Sequence, residues 1–460
     1  MAYAGASAAI LSNYDEALKV FYLPAVQDQL NHDTILSNFI EVNEQDVAGK
    51  EATIECHYGR TGGLGARADG GALPDAEYQK FKKATVPMKY NYGRVTFSGP
   101  TIAATRMEKG AYASAIETEN TGLDRDVKKE INRQLWGAGY GVLGRWRTTS
   151  SGTSYTVQKL YTGNTAGGNG FGSTFGGKYL EEIDNAVTVV LTTAGSTVTV
   201  ATVDTGLLAV SAVVAATGYD TITVTDPTLT EAAGTYYIRP ASGATVTAAS
   251  STAGAGRYEM MGLRGIVTDE NIDNIVFYDG ADRGMSALPD PLQGLAVATY
   301  SWWKANVDTS ATRYAAQRSL TFDLMQQMFD KVEIKAGKDY GPDMILTTHA
   351  LRREYLELCR VDRRVVNTME LDGGFTAVDY NGVPFTVDQD AIDGEIYFLT
   401  LKDIQLYRMS DYAWMEKDGA VLSRLTGYDA YEAVLFRYAE LGCKRRNSQG
   451  VLGDLDYTAT

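Results

Sequence analysis

Apolar and polar residues alternate strictly through Ala52-Thr53-Ile54-Glu55-Cys56-His57-Tyr58, the two-residue period of a strand with one buried face. The pattern dissolves in the Gly-rich stretch Arg60–Gly71 and returns from Thr85 to Phe97. This spacing predicts an extended excursion beginning near Asp46, with strands as its limbs and the glycines at its tip. A two-stranded ribbon on its own is marginal in water, so such an arm needs a neighbour to lie on.

The period then changes. From Glu108 to Trp136, Tyr112, Ile116, Leu123, Val127, Ile131 and Leu135 recur at spacings of four and seven, one stripe of a helix about 40 Å long. The opposite face carries Glu117, Glu119, Asp124, Arg125, Asp126, Lys128, Lys129, Glu130 and Arg133, and Gly122 is a weak point.

Elsewhere, residues 1–45 read as an arm with helical periodicity from Tyr14 to Leu30, broken at Pro24. Residues 137–180 are loop-like. Short β-branched runs at 186–192, 196–200, 221–225 and 235–238 predict a small all-β module over 185–250. Ser319–Ala336 predicts an amphipathic helix with Leu320, Leu324, Met328 and Val332 on one face and Asp323 suiting its dipole. Met344–Thr347 predicts a buried strand, and Thr348 is placed to cap the following helix. Asn381-Gly382, Asp393-Gly394 and Asp418-Gly419 mark tight turns. Tyr431–Leu441 predicts a long final strand.

Length bounds the chain: 460 residues can bury a sizeable core in more than one domain. A net charge of −15 argues against a dedicated nucleic-acid binder, which needs a basic face, while leaving room for a container around nucleic acid. Three widely spaced cysteines, Cys56, Cys359 and Cys443, predict reduced thiols. No basic, apolar leader opens the chain, and no apolar run reaches the roughly 18 residues of a membrane span.

Chemistry-bearing motifs fail on context. Gly139-Tyr140-Gly141-Val142-Leu143-Gly144 spells GxGxxG but follows a helix instead of a strand, so it reads as a flexible hinge. His32, His57 and His349 lack metal-ligand spacing, and Cys56 and His57 face opposite sides of a strand. The run from Asp269 begins like a calcium loop, but Asn274 stands where Gly is needed and Gly280 where Glu is. No nucleophile elbow is present. The residues predict neither an enzyme nor a cofactor or metal site.

Taken in order, Asp46–Phe97, Glu108–Trp136, Tyr380–Phe385 with Gly394–Leu399, and Tyr431–Arg446 resemble the major capsid protein of tailed double-stranded DNA bacteriophages, the Hong Kong 97-type fold that encapsulin compartments share. The resemblance implies an α+β subunit: N-terminal arm (1–45), E-loop (46–104), spine helix and peripheral domain (105–184), inserted β module (185–250), peripheral domain and connection (251–310), axial domain (311–410), and a return to the peripheral domain (411–460). It implies assembly as pentamers and hexamers into a virion shell around DNA, without a membrane, in the host cytoplasm. Partners would be a portal protein, a cement or decoration protein and, given the short N-terminus, a separate scaffolding protein.

Candidate contacts between subunits are Arg60, Arg67, Lys80, Lys82, Lys83 and Lys89 on the E-loop, and Glu117, Arg125, Lys128, Lys129 and Arg133 on the spine. Some relatives link an E-loop lysine covalently to a neighbour's asparagine; charge contact with an acidic shell is the simpler role for these lysines. The β module departs from many relatives. An encapsulin-like compartment and a secreted carbohydrate-binding or adhesin protein are the alternatives.

Overall fold

The computed structural model describes residues 35–69, 71–101, 109–141, 144–145, 154–158, 188–193, 208–216, 219–224, 236–240, 257–270, 272, 291–310, 317–361, 368–370, 376–416 and 421–457. The periodicity at 14–30, the run at 196–200 and the Asp418-Gly419 turn lie outside them. A short helix α1 (Ile35–Phe39) leads into β1 (Glu41–Asn43). This end of the arm is tied down: Leu36 is fully buried, and its N–H donates to the Asp388 carboxylate at 3.0 Å.

β2 (Val47–Ala48), β3 (Glu51–Gly59) and β4 (Lys80–Pro87) form a three-stranded antiparallel ribbon. The predicted second limb is two strands, because β5 (Lys89–Ser98) leaves the ribbon at Met88. Pro87 has no N–H to continue a ladder, and the Met88 N–H turns back to the Lys50 carbonyl at 3.0 Å. From there β5 pairs with a strand over 430–443, in register from Lys89↔Ala439 to Ser98↔Ala430.

The long helix α2 (Lys109–Trp136) has 28 residues, about 42 Å at the standard rise. It crosses β5 at Gly93, where a Cβ would sit 3.0 Å from Val127 and 3.1 Å from Leu123. Its last turns enter the core, so Ile131, Asn132, Arg133, Gln134, Leu135 and Trp136 are all buried. The charged face predicted from Glu117 to Arg133 therefore stops short of Arg133. Beyond the helix, Gly139 and Gly141 hold positive φ angles of 81° and 69°. They press against Arg257 and Glu259 too closely for any side chain. The predicted flexible hinge is, in its described part, a packed turn.

β6 (Gly144–Arg145), β7 (Ser154–Gln158), β8 (Thr188–Thr193), β9 (Leu208–Ala216), β10 (Tyr219–Val224) and β11 (Tyr236–Pro240) make a six-stranded antiparallel sheet. Its order is β6-β11-β8-β9-β10-β7, and within the described residues it pairs with no other sheet. Two strands come from upstream of residue 185. β9 is an almost continuous small, apolar run that lacks the threonine alternation of its neighbours.

The segment 257–262 and helix α3 (Leu263–Ile266) close over the end of α2. A Cβ on Gly262 would lie 2.4 Å from the Gln134 carbonyl and 2.5 Å from that of Leu135. Backbone atoms cannot step aside, so Gly262→Ala is expected to cost about 3 kcal/mol, the upper end of overpacking losses. Gly122→Ala, with nothing within 4 Å, is expected to gain about 1 kcal/mol in helix propensity. Denaturant unfolding of the two variants checks both signs.

A seven-stranded mixed sheet follows. It takes β12 (Asn306–Asp308), β13 (Met344–Thr347), β14 (Thr368–Glu370), β15 (Thr376–Tyr380), β16 (Val383–Val387) and β17 (Ile396–Leu399), with helices α4 (Phe322–Ala336) and α5 (His349–Val361). Thr321 caps α4, its hydroxyl accepting from the Leu324 N–H at 3.2 Å. Met325, Met328, Phe329 and Val332 are the buried stripe of that helix. Thr348 does not cap α5 through its side chain; its hydroxyl is buried without a partner. Asn381-Gly382, at φ of 52° and 80°, joins β15 to β16 as a tight hairpin. The Asp393-Gly394 turn joins no adjacent pair, since β16 and β17 lie on opposite sides of β13.

β18 (Ile404–Trp414), β19 (Ser423–Arg424) and the 14-residue β20 (Ala430–Cys443) form a five-stranded sheet with β1 and β5. The last strand, β21 (Gly450–Leu452), then rejoins the seven-stranded sheet between β12 and β17. The chain thus leaves that sheet after Leu399, earlier than residue 410, and its end does not stay with the five-stranded sheet. The largest core among the described residues gathers Leu36, Leu135, Trp136, Met260, Trp303, Tyr397 and Leu441 from segments far apart in sequence. A second core lies between α4, α5 and the seven-stranded sheet. All three cysteines are free and buried.

Candidate assembly interface

The ribbon is anchored at its base and bare at its tip. Ala52, Cys56, Ala84 and Val86 are buried, and Tyr407 packs beneath Ala52, Val86 and Met88. Higher up, Tyr58 stacks on Trp302 at 5.1 Å with an 8° interplanar angle, and the Lys82 ammonium lies 5.3 Å from the Tyr300 ring centroid. Beyond this clasp the limbs hold only each other. The Thr61 hydroxyl donates to the Glu77 carbonyl at 2.8 Å, the Gly62 N–H donates to the Glu77 carboxylate at 3.0 Å, and His57 bonds Gln79 at 2.8 Å. Leu64, Leu73, Tyr78 and Phe81 are 74%, 86%, 90% and 66% exposed. Large apolar side chains this bare, gathered on one projecting element, mark an interaction surface.

The predicted contact residues divide. Arg60, Arg67, Lys80, Lys82 and Lys83 are exposed on the ribbon. The Lys83–Glu55 pair, 3.9 Å apart with both side chains over 70% exposed, contributes little to stability. Lys89 turns inward instead, donating to the Arg257 carbonyl. On α2, Lys128 pairs with Asp124 at 2.6 Å and Arg125 with Asp126 at 3.4 Å, both near the surface; Lys129 is half-buried. Arg133 is a correction: it is buried between Glu130 and Glu259, 2.6 Å from the latter, and cannot reach a neighbour. The Glu117 side chain lies outside the described residues.

One surface went unread in the sequence. α2 covers one face of the β5–β20 pair, and on the other face the Tyr438 ring meets those of Tyr90, Tyr92 and Phe436 at 5.2, 6.0 and 5.0 Å. Tyr90 and Tyr92 are 50% and 59% exposed. A hydrogen bond to Tyr438, with some burial, raises the Tyr92 phenol above its ordinary range. The signal was present as the alternations Tyr90-Asn91-Tyr92 and Phe436-Arg437-Tyr438.

Among the described residues no group of three or more His, Cys, Asp or Glu side chains is placed to hold a metal ion, and no helix is long and apolar enough to cross a membrane. No family model matches the chain, and no curated protein does. Solved structures do. The chain overlays the cyanophage A-1(L) capsid subunit with a TM-score of 0.54 and 13% identity, over 97% of this chain and 99% of that one.

The fold is an α+β phage-capsid fold.

The capsid of the myovirus XM1 overlays more loosely, with a TM-score of 0.44 and 8% identity over 96% of this chain and 98% of that one. The SrpI encapsulin of Synechococcus elongatus gives a TM-score of 0.27 and 12% identity over 36% of this chain and 56% of that one. Tyr78 and Leu73, at the tip of the ribbon, are the most exposed large apolar side chains among the described residues.

Proposed function

We propose that this chain is the major capsid protein of a tailed double-stranded DNA bacteriophage, a structural subunit and not an enzyme. The observation that carries the reading is the overlay on a cyanophage capsid subunit along nearly the whole chain. In this reading pentamers and hexamers close an icosahedral head, made in the host cytoplasm with a scaffolding protein and fitted with a portal and a decoration protein. Residues 46–87 reach from one subunit to the next, 105–136 form the spine, the sheet of β12 to β17 with β21 faces the capsomer axis, and the six-stranded sheet is an insertion.

Arg60, Arg67, Lys80, Lys82 and Lys83 would meet the acidic surface of a neighbour; Arg125, Lys128 and Lys129 are the spine positions still able to do so. Expression of the full chain with electron microscopy of the product tests the reading. Closed shells of pentamers and hexamers are expected, with nucleic acid inside heads recovered from a phage infection. A homogeneous monomer under all conditions overturns it, and shells that enclose a protein cargo in place of nucleic acid favour the compartment alternative.

A further inference from the structure

Two bare apolar surfaces stand on this chain, and neither covers the other. One is the ribbon tip with Leu73 and Tyr78. The other is the open face of the β5–β20 pair, where Tyr90 and Tyr92 stand half bare beside the Tyr438 ring. A ribbon folded back on its own sheet would bury both. Its course keeps them apart, because its inner face is taken up by Tyr407 at the base and by the Tyr58–Trp302 stack above it.

Contacts between copies can pair these surfaces in three ways. Tip on tip leaves the sheet face in water, and face on face leaves the tip there. Tip on face covers both, once per subunit. It is also a head-to-tail contact between two different patches, the kind that continues round a ring. The chemistry agrees. Arg60, Arg67 and Lys80 are exposed and, among the described residues, have no ion-pair partner. A phenol ring face attracts such cations, arginine most often, in addition to any acidic group beside it. Arg94, which shares the face with the rings, is already held by Glu432 at 2.6 Å. The opposite side of these strands offers less: α2 presents charges paired among themselves and, among the described residues, no exposed large apolar side chain.

We propose, on the reading of this chain as a shell subunit, that the open face of Tyr90, Tyr92, Phe436 and Tyr438 is the seat for the ribbon tip of a second copy, on the side of the sheet away from the long helix. Leu73 and Tyr78 supply the apolar contact, and the tip arginines supply a cation over the outer phenols.

A photoreactive benzophenone side chain in place of Tyr78 reads the seat directly, in particles assembled from a mixture of isotope-labelled and unlabelled full chains. Adducts located by mass spectrometry are expected within 89–98 and 430–439 of a different copy. Two variants then test the head-to-tail pairing in solution. Tyr90→Thr with Tyr92→Thr keeps the tip and loses the face, while Leu73→Ser with Tyr78→Ser keeps the face and loses the tip. By sedimentation, the mixture is expected to associate at least about thirtyfold more tightly than either variant with itself, the effect of restoring one central anchor. Equal association in the mixture and in the separate chains overturns the proposal. So do adducts confined to another tip, to α2 or to a different protein, and so do normal shells from the Tyr90→Thr, Tyr92→Thr chain. The cross-link stands even if that chain fails to fold, since position 78 is bare. A wild-type chain that never leaves the monomer overturns the shell reading and this seat with it, whereas normal wild-type shells with the tip linked elsewhere overturn the seat alone.

Discussion

Deleting Arg60–Gly71 leaves a soluble, folded chain that closes no shells. The expectation follows from where the ribbon's stability resides. Its base is built into the subunit through Ala52, Cys56, Ala84 and Val86, and Tyr58 stacks on Trp302, so the removed residues contribute little to the body. The tip is different: Leu64 within the deleted segment, and Leu73 and Tyr78 just beyond it, are mostly exposed in the single chain. In the proposed shell they are the parts buried on a second copy, where truncating a central anchor costs 2 kcal/mol or more. A head repeats this contact at every subunit, so a loss of that size per contact ends closure.

A gentler pair makes the same point without altering loop length. Leu73→Ser with Tyr78→Ser is expected to leave the unfolding midpoint within about 0.5 kcal/mol of wild type, as for exposed positions generally, while electron microscopy shows no closed particles. Normal particles from either variant would remove the ribbon from the assembly mechanism.

The elements legible in the sequence were those whose signal is local. The ribbon announced itself by a two-residue period over Ala52–Tyr58, and α2 by the stripe ending at Leu135, because each period depends only on which face is buried. What stayed hidden was set by residues far along the chain. That β4 and β5 belong to different sheets depends on β20, more than 330 residues later. That Lys89 and Arg133 turn inward depends on Arg257 and Glu259, and a charged side chain carries no mark of whether a carbonyl or a carboxylate will arrive to receive it. The contact surface was only partly legible. Arg60, Arg67 and the lysines at 80, 82 and 83 were read as charges, while the bare apolar side chains of Leu64, Leu73, Tyr78 and Phe81 beside them were not singled out. The open aromatic face at Tyr90 and Tyr92 was visible as alternation and was read only as strand.

Arg446→Leu is expected to be the most damaging single substitution in the body. Arg446 sits just after β20, has no exposed surface, and donates only to backbone. Its Nε reaches the Ile266 carbonyl at 2.8 Å, its Nη1 the Trp303 carbonyl at 3.3 Å, and its Nη2 the carbonyls of Gly265 and Glu270 at 3.3 Å and 3.0 Å. Burial lowers its pKa to about 10, still far above neutrality, so the guanidinium is charged wherever the protein is studied. One side chain therefore gathers the end of α3, the segment after it and the turn before β12 onto the C-terminal return. Leucine removes the charge, which is a gain, but strands the carbonyls of Gly265, Glu270 and Trp303 against a cavity, while that of Ile266 keeps the Thr268 N–H at 3.0 Å. Hydrogen bonds from a charged donor are worth about 1.5–3 kcal/mol each, and stranded buried acceptors cost about 1–3 kcal/mol. Even with one of the three rescued by water, the loss is expected to exceed about 3 kcal/mol. Arg446→Lys, with three donors on a single nitrogen, cannot span all four carbonyls and is expected to fall between. Denaturant unfolding should rank the three chains in that order, and a leucine variant as stable as wild type would mean that this cation is not what joins the two ends of the body.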